Sequence, residues 1–243
     1  QGGTQTMRTV QELFDLSGQA ALVTGGAGLL GTAISESLAE AGARVAIASR
    51  NLDHCQETAR KLGPDHLGLQ LDIGSEASNR DVVDEVAERF GRLDILVGNA
   101  AMLGGLRPVG HYPPDVWEDV IALNLTANWR LIRSLDPLLR LSEAGRAMFV
   151  TSGVTEGVPP AYWSAYTASK AGLEALVRTY AAELKRTNLK VNIIDPGTAA
   201  TNMRAEAFPG EDPNTLAAPD DITERFVELA EVSCGESGGK VFV

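Results

Sequence analysis

The chain has 243 residues, enough for one large domain with a substantial core, and its 44% hydrophobic and 22% charged residues are those of an ordinary globular protein. A formal net charge of -11 argues against nucleic acid or an anionic membrane surface as the main partner. No apolar run is long enough to span a bilayer, the N-terminus carries no signal-peptide pattern, and Cys55 and Cys234 stand in no metal-ligand spacing, so the expectation is a cytoplasmic protein with reduced thiols and no metal site.

Gln1-Gly2-Gly3 reads as a remnant of expression, and residues 1–15 as an arm outside a single domain spanning 16–243. Ala20–Thr24 is the first expected strand, followed by a glycine-rich turn and a helix over Leu30–Ala41. Then come a strand at Arg44–Ala48, a helix at Leu52–Leu62, a strand at Leu67–Leu71, a helix at Ala77–Phe90 and a strand at Leu93–Val97. A long helical stretch runs from Pro114 to Leu141, with Pro137 expected to bend or end its regular part. A strand at Ala147–Thr151, a helix at Trp163–Thr187 and a strand at Lys190–Ile194 follow. A helix over Asp220–Val232 and a strand at Lys240–Val243 complete the pattern. Strands that are apolar throughout imply burial on both faces. With strict β-α alternation this predicts a doubly wound α/β (Rossmann) fold, a parallel sheet of about seven strands between two helix layers. In such sheets ligands bind beyond the carboxyl ends of the strands, where strand order reverses.

Three stretches at those ends carry chemistry. Thr24-Gly25-Gly26-Ala27-Gly28-Leu29-Leu30-Gly31 joins the first strand to the first helix, where glycines permit a tight turn and close approach of a pyrophosphate to a helix N-terminus. A purely structural tight turn is the alternative. The second strand ends in Ser49 and Arg50, with no carboxylate. Arg50 can pair with a 2′-phosphate and Ser49 can hydrogen-bond to it, which favours NADP(H), with NAD(H) as the alternative. Tyr166 and Lys170 lie four apart on one helix face, where an ammonium near the phenol is expected to lower the tyrosine pKa and make it a usable proton donor and acceptor. By itself that pair is more often a solvated surface feature.

With these motifs in order, the chain resembles the short-chain dehydrogenase/reductase family, compact single-domain type, from about Leu16 onward. Asp72 and Ile73 follow the third strand. Asn99-Ala100-Ala101 resembles the family's Asn-Ala-Gly segment. Asn124 lies in the next helix, Ser152 ends the fifth strand, and Pro196-Gly197 with Thr201 follow the sixth. The resemblance implies a catalytic tetrad of Asn124, Ser152, Tyr166 and Lys170. It implies a cofactor site of Gly25, Gly28, Leu30, Gly31, Ser49, Arg50, Asp72, Ile73, Asn99, Ala100, Tyr166, Lys170, Pro196, Gly197 and Thr201. The implied reaction is hydride transfer between NADP(H) and a carbonyl or secondary alcohol, with Tyr166 moving the proton, Ser152 holding the substrate oxygen, and Asn124 keeping a water in a relay to Lys170. Homodimers or homotetramers paired through the two long helices are implied as well.

Two departures stand out. Position 29 is leucine where the compact members have glycine, so its side chain is expected to point away from the phosphates. The glycine spacing resembles that of the extended members, which include epimerases and dehydratases, yet too little chain follows Gly197 for their substrate domain. The segment after Thr201 is a short lid, and the ending lacks the Asp-Gly-Gly common in relatives, so an open pocket or a cover from a neighbouring subunit is expected. Leu29 and this ending leave a catalytically weak or non-catalytic dinucleotide-binding regulatory protein as the alternative function. Met102, Leu103, Leu106, Val154, Val158, Pro159, Tyr162, Trp163, Met203 and Phe208 are expected to form an apolar wall suited to a 3-oxoacyl, sugar-acid or other small ketone substrate, with Arg107 and Arg204 as candidate anion contacts.

Overall fold

The computed structural model describes residues 14–243, and the expected N-terminal arm, up to residue 13, lies outside the described residues. Seven strands form one sheet in the order β3-β2-β1-β4-β5-β6-β7, all parallel. They are β1 (Ala20–Thr24), β2 (Arg44–Ser49), β3 (Leu67–Gln70), β4 (Ile95–Gly98), β5 (Arg146–Val150), β6 (Lys190–Asp195) and β7 (Lys240–Phe242). The doubly wound expectation holds, and its physical origin is visible in burial. Every residue of β1, β4 and β5 is buried, because helices cover both faces. Two cores result. One face holds Leu22, Leu96 and Phe149 against Leu131, Leu135, Leu173 and Val177, and the other holds Val23, Ile47 and Val97 against Ile34, Leu38 and Phe226.

The helices are α1 (Leu29–Glu40), α2 (Leu52–Leu62), α3 (Glu76–Phe90), α4 (Pro114–Ile121), α5 (Ala127–Leu141), α6 (Ser164–Glu183), α7 (Asn202–Ala207) and α8 (Glu224–Ala230). Leu16, at the junction with the expected arm, is fully buried and its N–H donates to the Ala41 carbonyl at 2.8 Å. On α6, Leu173, Val177 and Tyr180 are all buried in the core, as is Leu184 just beyond the helix. Of the two outcomes expected at Pro137, an end to the regular helix is not seen. The proline sits inside α5, which runs on to Leu141, and the irregularity lies earlier, where Ala122–Thr126 forms a π turn between α4 and α5. Pro137 is exposed, as is Arg133 four residues before it, whose carbonyl is the one that proline leaves without an N–H donor. The expected helix over Asp220–Val232 is a 3-10 turn at Pro219–Ile222 followed by the shorter α8. No described helix is long and apolar enough to cross a membrane.

Because β3 leads back to β4 beside β1, the crossovers to either side of β1 and β4 run in opposite directions and leave a crevice at the carboxyl ends of these strands.

Candidate active site

That crevice holds a cavity of about 1010 Å³. Its floor begins at the turn after β1. Gly25 has φ +66°, and a Cβ there would stand 2.9 Å from the Ala100 backbone, so only glycine fits. At Gly31 a Cβ would lie 2.2 Å from the Gly25 carbonyl oxygen, so the turn can fold onto α1 only over a bare Cα. Gly28 differs. Its φ is -83° and a Cβ would meet nothing closer than 3.4 Å, so no packing constraint requires glycine there. The space it leaves opens on the cavity.

Helices α2, α3 and α7 begin on Asn51, Ser75 and Thr201, whose side chains accept hydrogen bonds from backbone N–H groups of the first turn. Helix α1 begins on Gly28 with no side-chain cap, so its first N–H groups and dipole end face the cavity without a protein acceptor. That is the environment a pyrophosphate needs, and the residues present fit a dinucleotide. Leu29 borders the cavity with a relative exposure of 51%. Thr24 and Asn99 fix the two strand ends. Asn99 Nδ2 donates to the carbonyls of Thr24 (3.1 Å) and Gly25 (3.3 Å), while the N–H groups of Asn99 and Ala100 donate to Thr24 Oγ1.

Further along, Ser49 and Arg50 line the cavity beside Asn51 and His54 from the start of α2. Ser49 Oγ accepts from the Asn51 N–H at 3.1 Å and lies 3.1 Å from Cys55 Sγ, while Arg50 is exposed. Asp72 turns its carboxylate back to the Gly74 N–H (3.0 Å), next to buried Ile73. On the opposite wall are Pro196, Gly197 and Thr201.

Tyr166 and Lys170 on α6 and Ser152 after β5 border the same cavity. Ser152 follows the strand by two residues and opens a 3-10 turn, Gly153–Thr155. Its side chain hydrogen-bonds Tyr166. Lys170 Nζ donates to the Val150 carbonyl at 2.8 Å and lies 5.7 Å from the Tyr166 ring centre. The expected lowering of the tyrosine pKa is not what this environment produces. Burial pushes the Tyr166 phenol up to about 12, with the nearby Asp195 carboxylate adding to the rise, and the Ser152 hydrogen bond offsets only part of it. Burial also pulls Lys170 down to about 8, against the opposing charge of Glu174.

All the expected cofactor residues, with Ser152, Tyr166 and Lys170, border one cavity. Asn124 does not. It is fully buried in the π turn, and its side chain is committed to protein: Oδ1 accepts from the Met102 N–H, and Nδ2 donates to the Met102 carbonyl and to Ser169 Oγ at 2.9 and 3.0 Å. Its backbone carbonyl accepts from Asn128 Nδ2 at 2.8 Å. Asn124 thereby locks the segment after β4 onto α6 one residue before Lys170.

The apolar wall is only partly as expected. Val154, Val158, Trp163, Met203 and Phe208 line the cavity, joined by Pro160 in place of Pro159, whereas Met102, Leu103, Leu106 and Tyr162 do not reach it. Trp163 stands between Tyr166 and Phe208, with ring centres 5.8 and 5.9 Å away. Arg204 stacks on Phe208 at 3.9 Å and forks onto Glu211 at 2.6 and 2.7 Å, so its charge is answered within the lid, and Arg107 is exposed away from the cavity. Sequence reasoning missed Asp195, His54 and Glu156, which also line the cavity. A carboxylate at the very end of β6, directly before Pro196-Gly197, was the available signal for the first of these. Among the described residues no group of His, Cys, Asp and Glu side chains is arranged to hold a metal ion.

Residues 19–212 match the family model for short chain dehydrogenases. The chain belongs to the short-chain dehydrogenase family. It is, with that family, an oxidoreductase. It is 38% identical over 213 residues to the rhamnolipid-biosynthesis 3-oxoacyl-[acyl-carrier-protein] reductase of Pseudomonas aeruginosa, covering 84% of this chain and 81% of that one. It is 34% identical to the oxidoreductase YciK of Escherichia coli K12, covering 88% and 86%. Among solved structures, a short chain dehydrogenase from Escherichia coli CFT073 complexed with NADPH superimposes with a TM-score of 0.89 at 32% identity, covering 96% of this chain and 98% of that one.

Proposed function

We propose that this chain reduces a carbonyl, or oxidises the matching secondary alcohol, with NADP(H) as the hydride carrier and Tyr166 as the proton donor and acceptor. The observation that carries this reading is the convergence of Ser152, Tyr166 and Lys170 on the cavity that the uncapped start of α1 also faces. Arg50 at the end of β2, with no carboxylate beside it, supports NADP(H) over NAD(H), and NADPH is bound in the Escherichia coli neighbour. The bound nicotinamide supplies or accepts the hydride.

The chain's own residues manage the oxygen and its proton. The Ser152 hydroxyl, already beside the phenol, donates to the substrate oxygen and stabilises the negative charge that grows there. A phenol held protonated by burial is a competent acid toward an alkoxide, so Tyr166 delivers its proton as the carbonyl is reduced. Lys170, tethered to the Val150 carbonyl, holds positive charge behind the phenolate that forms. Asn124 acts as a positioning residue, fixing α6 against the segment after β4. The apolar wall of Trp163, Met203 and Phe208 suits a 3-oxoacyl or similar medium-sized ketone, and the Pseudomonas relative is named as a 3-oxoacyl reductase. Assembly as a homodimer or homotetramer in the cytoplasm completes the reading.

The test is Tyr166→Phe assayed by loss of NADPH absorbance with a panel of 3-oxoacyl thioesters, sugar acids and simple ketones. A fall in kcat of about a hundredfold or more with NADPH binding retained is expected. Undiminished turnover in that variant would overturn the assignment.

A further inference from the structure

A second lysine, apart from Lys170, is buried close to this site. Lys240 opens β7, four strands from β1, yet its side chain is only 6% exposed and its ammonium reaches the loop that carries Ser152. Nζ lies 2.8 Å from Thr155 Oγ1, 2.6 Å from Glu156 Oε1 and 3.4 Å from the Ser152 carbonyl oxygen. The same nitrogen lies 3.1 Å from Glu174 on α6 and 3.5 Å from Asp195 at the end of β6. Thr151 and Thr155 both donate to Glu174 Oε1, at 2.7 and 2.6 Å, so a single buried cation and a single buried carboxylate tie together the catalytic loop, the catalytic helix and two strands.

We propose that Lys240 is a positioning residue for the reaction: its ammonium clamps the Ser152–Glu156 turn to α6 and β6 and so holds the Ser152 hydroxyl against Tyr166. This rests on the reading of Ser152 and Tyr166 given above. The clamp has a second, electrostatic side. The charged groups facing Tyr166 and Lys170 are Asp195 from β6 and Glu174 from α6, and each carboxylate favours the protonated form of its neighbour. Lys240 is the cation set between these two carboxylates. Glu156 meets it from the loop, and Arg178 meets Glu174 from the outer side at 3.0 Å. Without Lys240, Glu174 keeps Arg178 and two threonine hydroxyls, and Asp195 keeps the Gly197 N–H at 3.1 Å, so the two carboxylates act on the proton-transfer pair with less opposition.

Lys240→Met removes the charge at nearly constant volume, and Lys240→Arg restores it. With NADPH and acetoacetyl thioester, Lys240→Met is expected to lower kcat about ten- to a hundredfold with NADPH affinity, read by fluorescence titration, within about twofold of wild type. In the alcohol-oxidation direction, with the 3-hydroxybutyryl thioester, the acid limb of its kcat profile should move upward by about one pH unit, and Lys240→Arg should recover at least part of both effects. Wild-type kcat and an unmoved pH profile in Lys240→Met, alongside an inactive Tyr166→Phe, would overturn the clamp alone. An active Tyr166→Phe overturns the underlying reaction instead. If Lys240→Met does not fold, Glu156→Gln decides the matter. It removes one leg of the clamp at a half-exposed residue and should lower kcat about threefold, and wild-type turnover there overturns the proposal.

Discussion

At the scale of single residues, Tyr166 and Lys170 are tuned by the medium around them more than by each other. Both are taken out of water, and desolvation disfavours the charged form of each: phenolate for the tyrosine, ammonium for the lysine. The lysine therefore loses its proton near the working range. Its charge is present below about pH 8 and lost above it. The profile of kcat/KM for carbonyl reduction, which reports the free enzyme, should accordingly fall as pH rises through about 8, and Lys170→Met should abolish that limb along with most of the activity. A profile flat through pH 9 would show the limb to be absent. The identities of Ser152, Tyr166 and Lys170 were legible in the sequence, because order and spacing along the chain carry them. The direction of the Tyr166 shift was not, since it depends on burial and on Asp195, a residue twenty-nine positions away that only folding brings near. The sealed environment of Asn124 was not legible, because Met102 and Ser169 reach it from other elements and keep it off the cavity.

At the scale of elements, the turn into α1 is the part least tolerant of change. Gly31→Ala would drive a methyl against the Gly25 carbonyl oxygen, a backbone atom that cannot swing aside. A loss of about 3 kcal/mol in urea unfolding is expected, with NADPH affinity falling as the turn opens. Gly28→Ala, which meets no such obstacle, should fold with near wild-type stability and lose affinity only, so the two glycines separate structure from binding. Equal stabilities for both variants would refute this division. The glycine spacing was readable from sequence, but the different reasons for its members were not, since they are distances between backbones. That Pro137 does not end its helix has a related cause: proline breaks a helix most severely where its missing N–H leaves a buried carbonyl unanswered, and here both residues concerned are exposed.

At the scale of the whole molecule, strand number, parallel pairing and alternation followed from apolar runs and connection lengths, with strand ends misplaced by one or two residues. What the chain offers a second copy of itself is less evident from patterning, because the apolar residues Leu173, Val177 and Tyr180 of α6 are used up by its own core. Exposed aromatic side chains lie elsewhere, among them Trp117 on α4 and Trp129 on α5. If assembly uses these tryptophans, light scattering should give the mass of a dimer or tetramer, and Trp129→Lys should shift it toward monomer while NADPH binding persists. A wild-type monomer at micromolar concentration would exclude it.

The π turn at Ala122–Thr126 has one more implication. An α-helix turns by roughly 100° per residue, so the extra residue it contains sets the rotational phase of everything downstream. Deleting one residue there to restore a regular helix would swing Leu131, Leu135 and Leu139, which α5 now buries, by about a quarter of a turn or more toward solvent. The irregularity is thus a phase shift that lets one continuous helical rod present Asn124 to α6 and, further along, a hydrophobic face to the sheet.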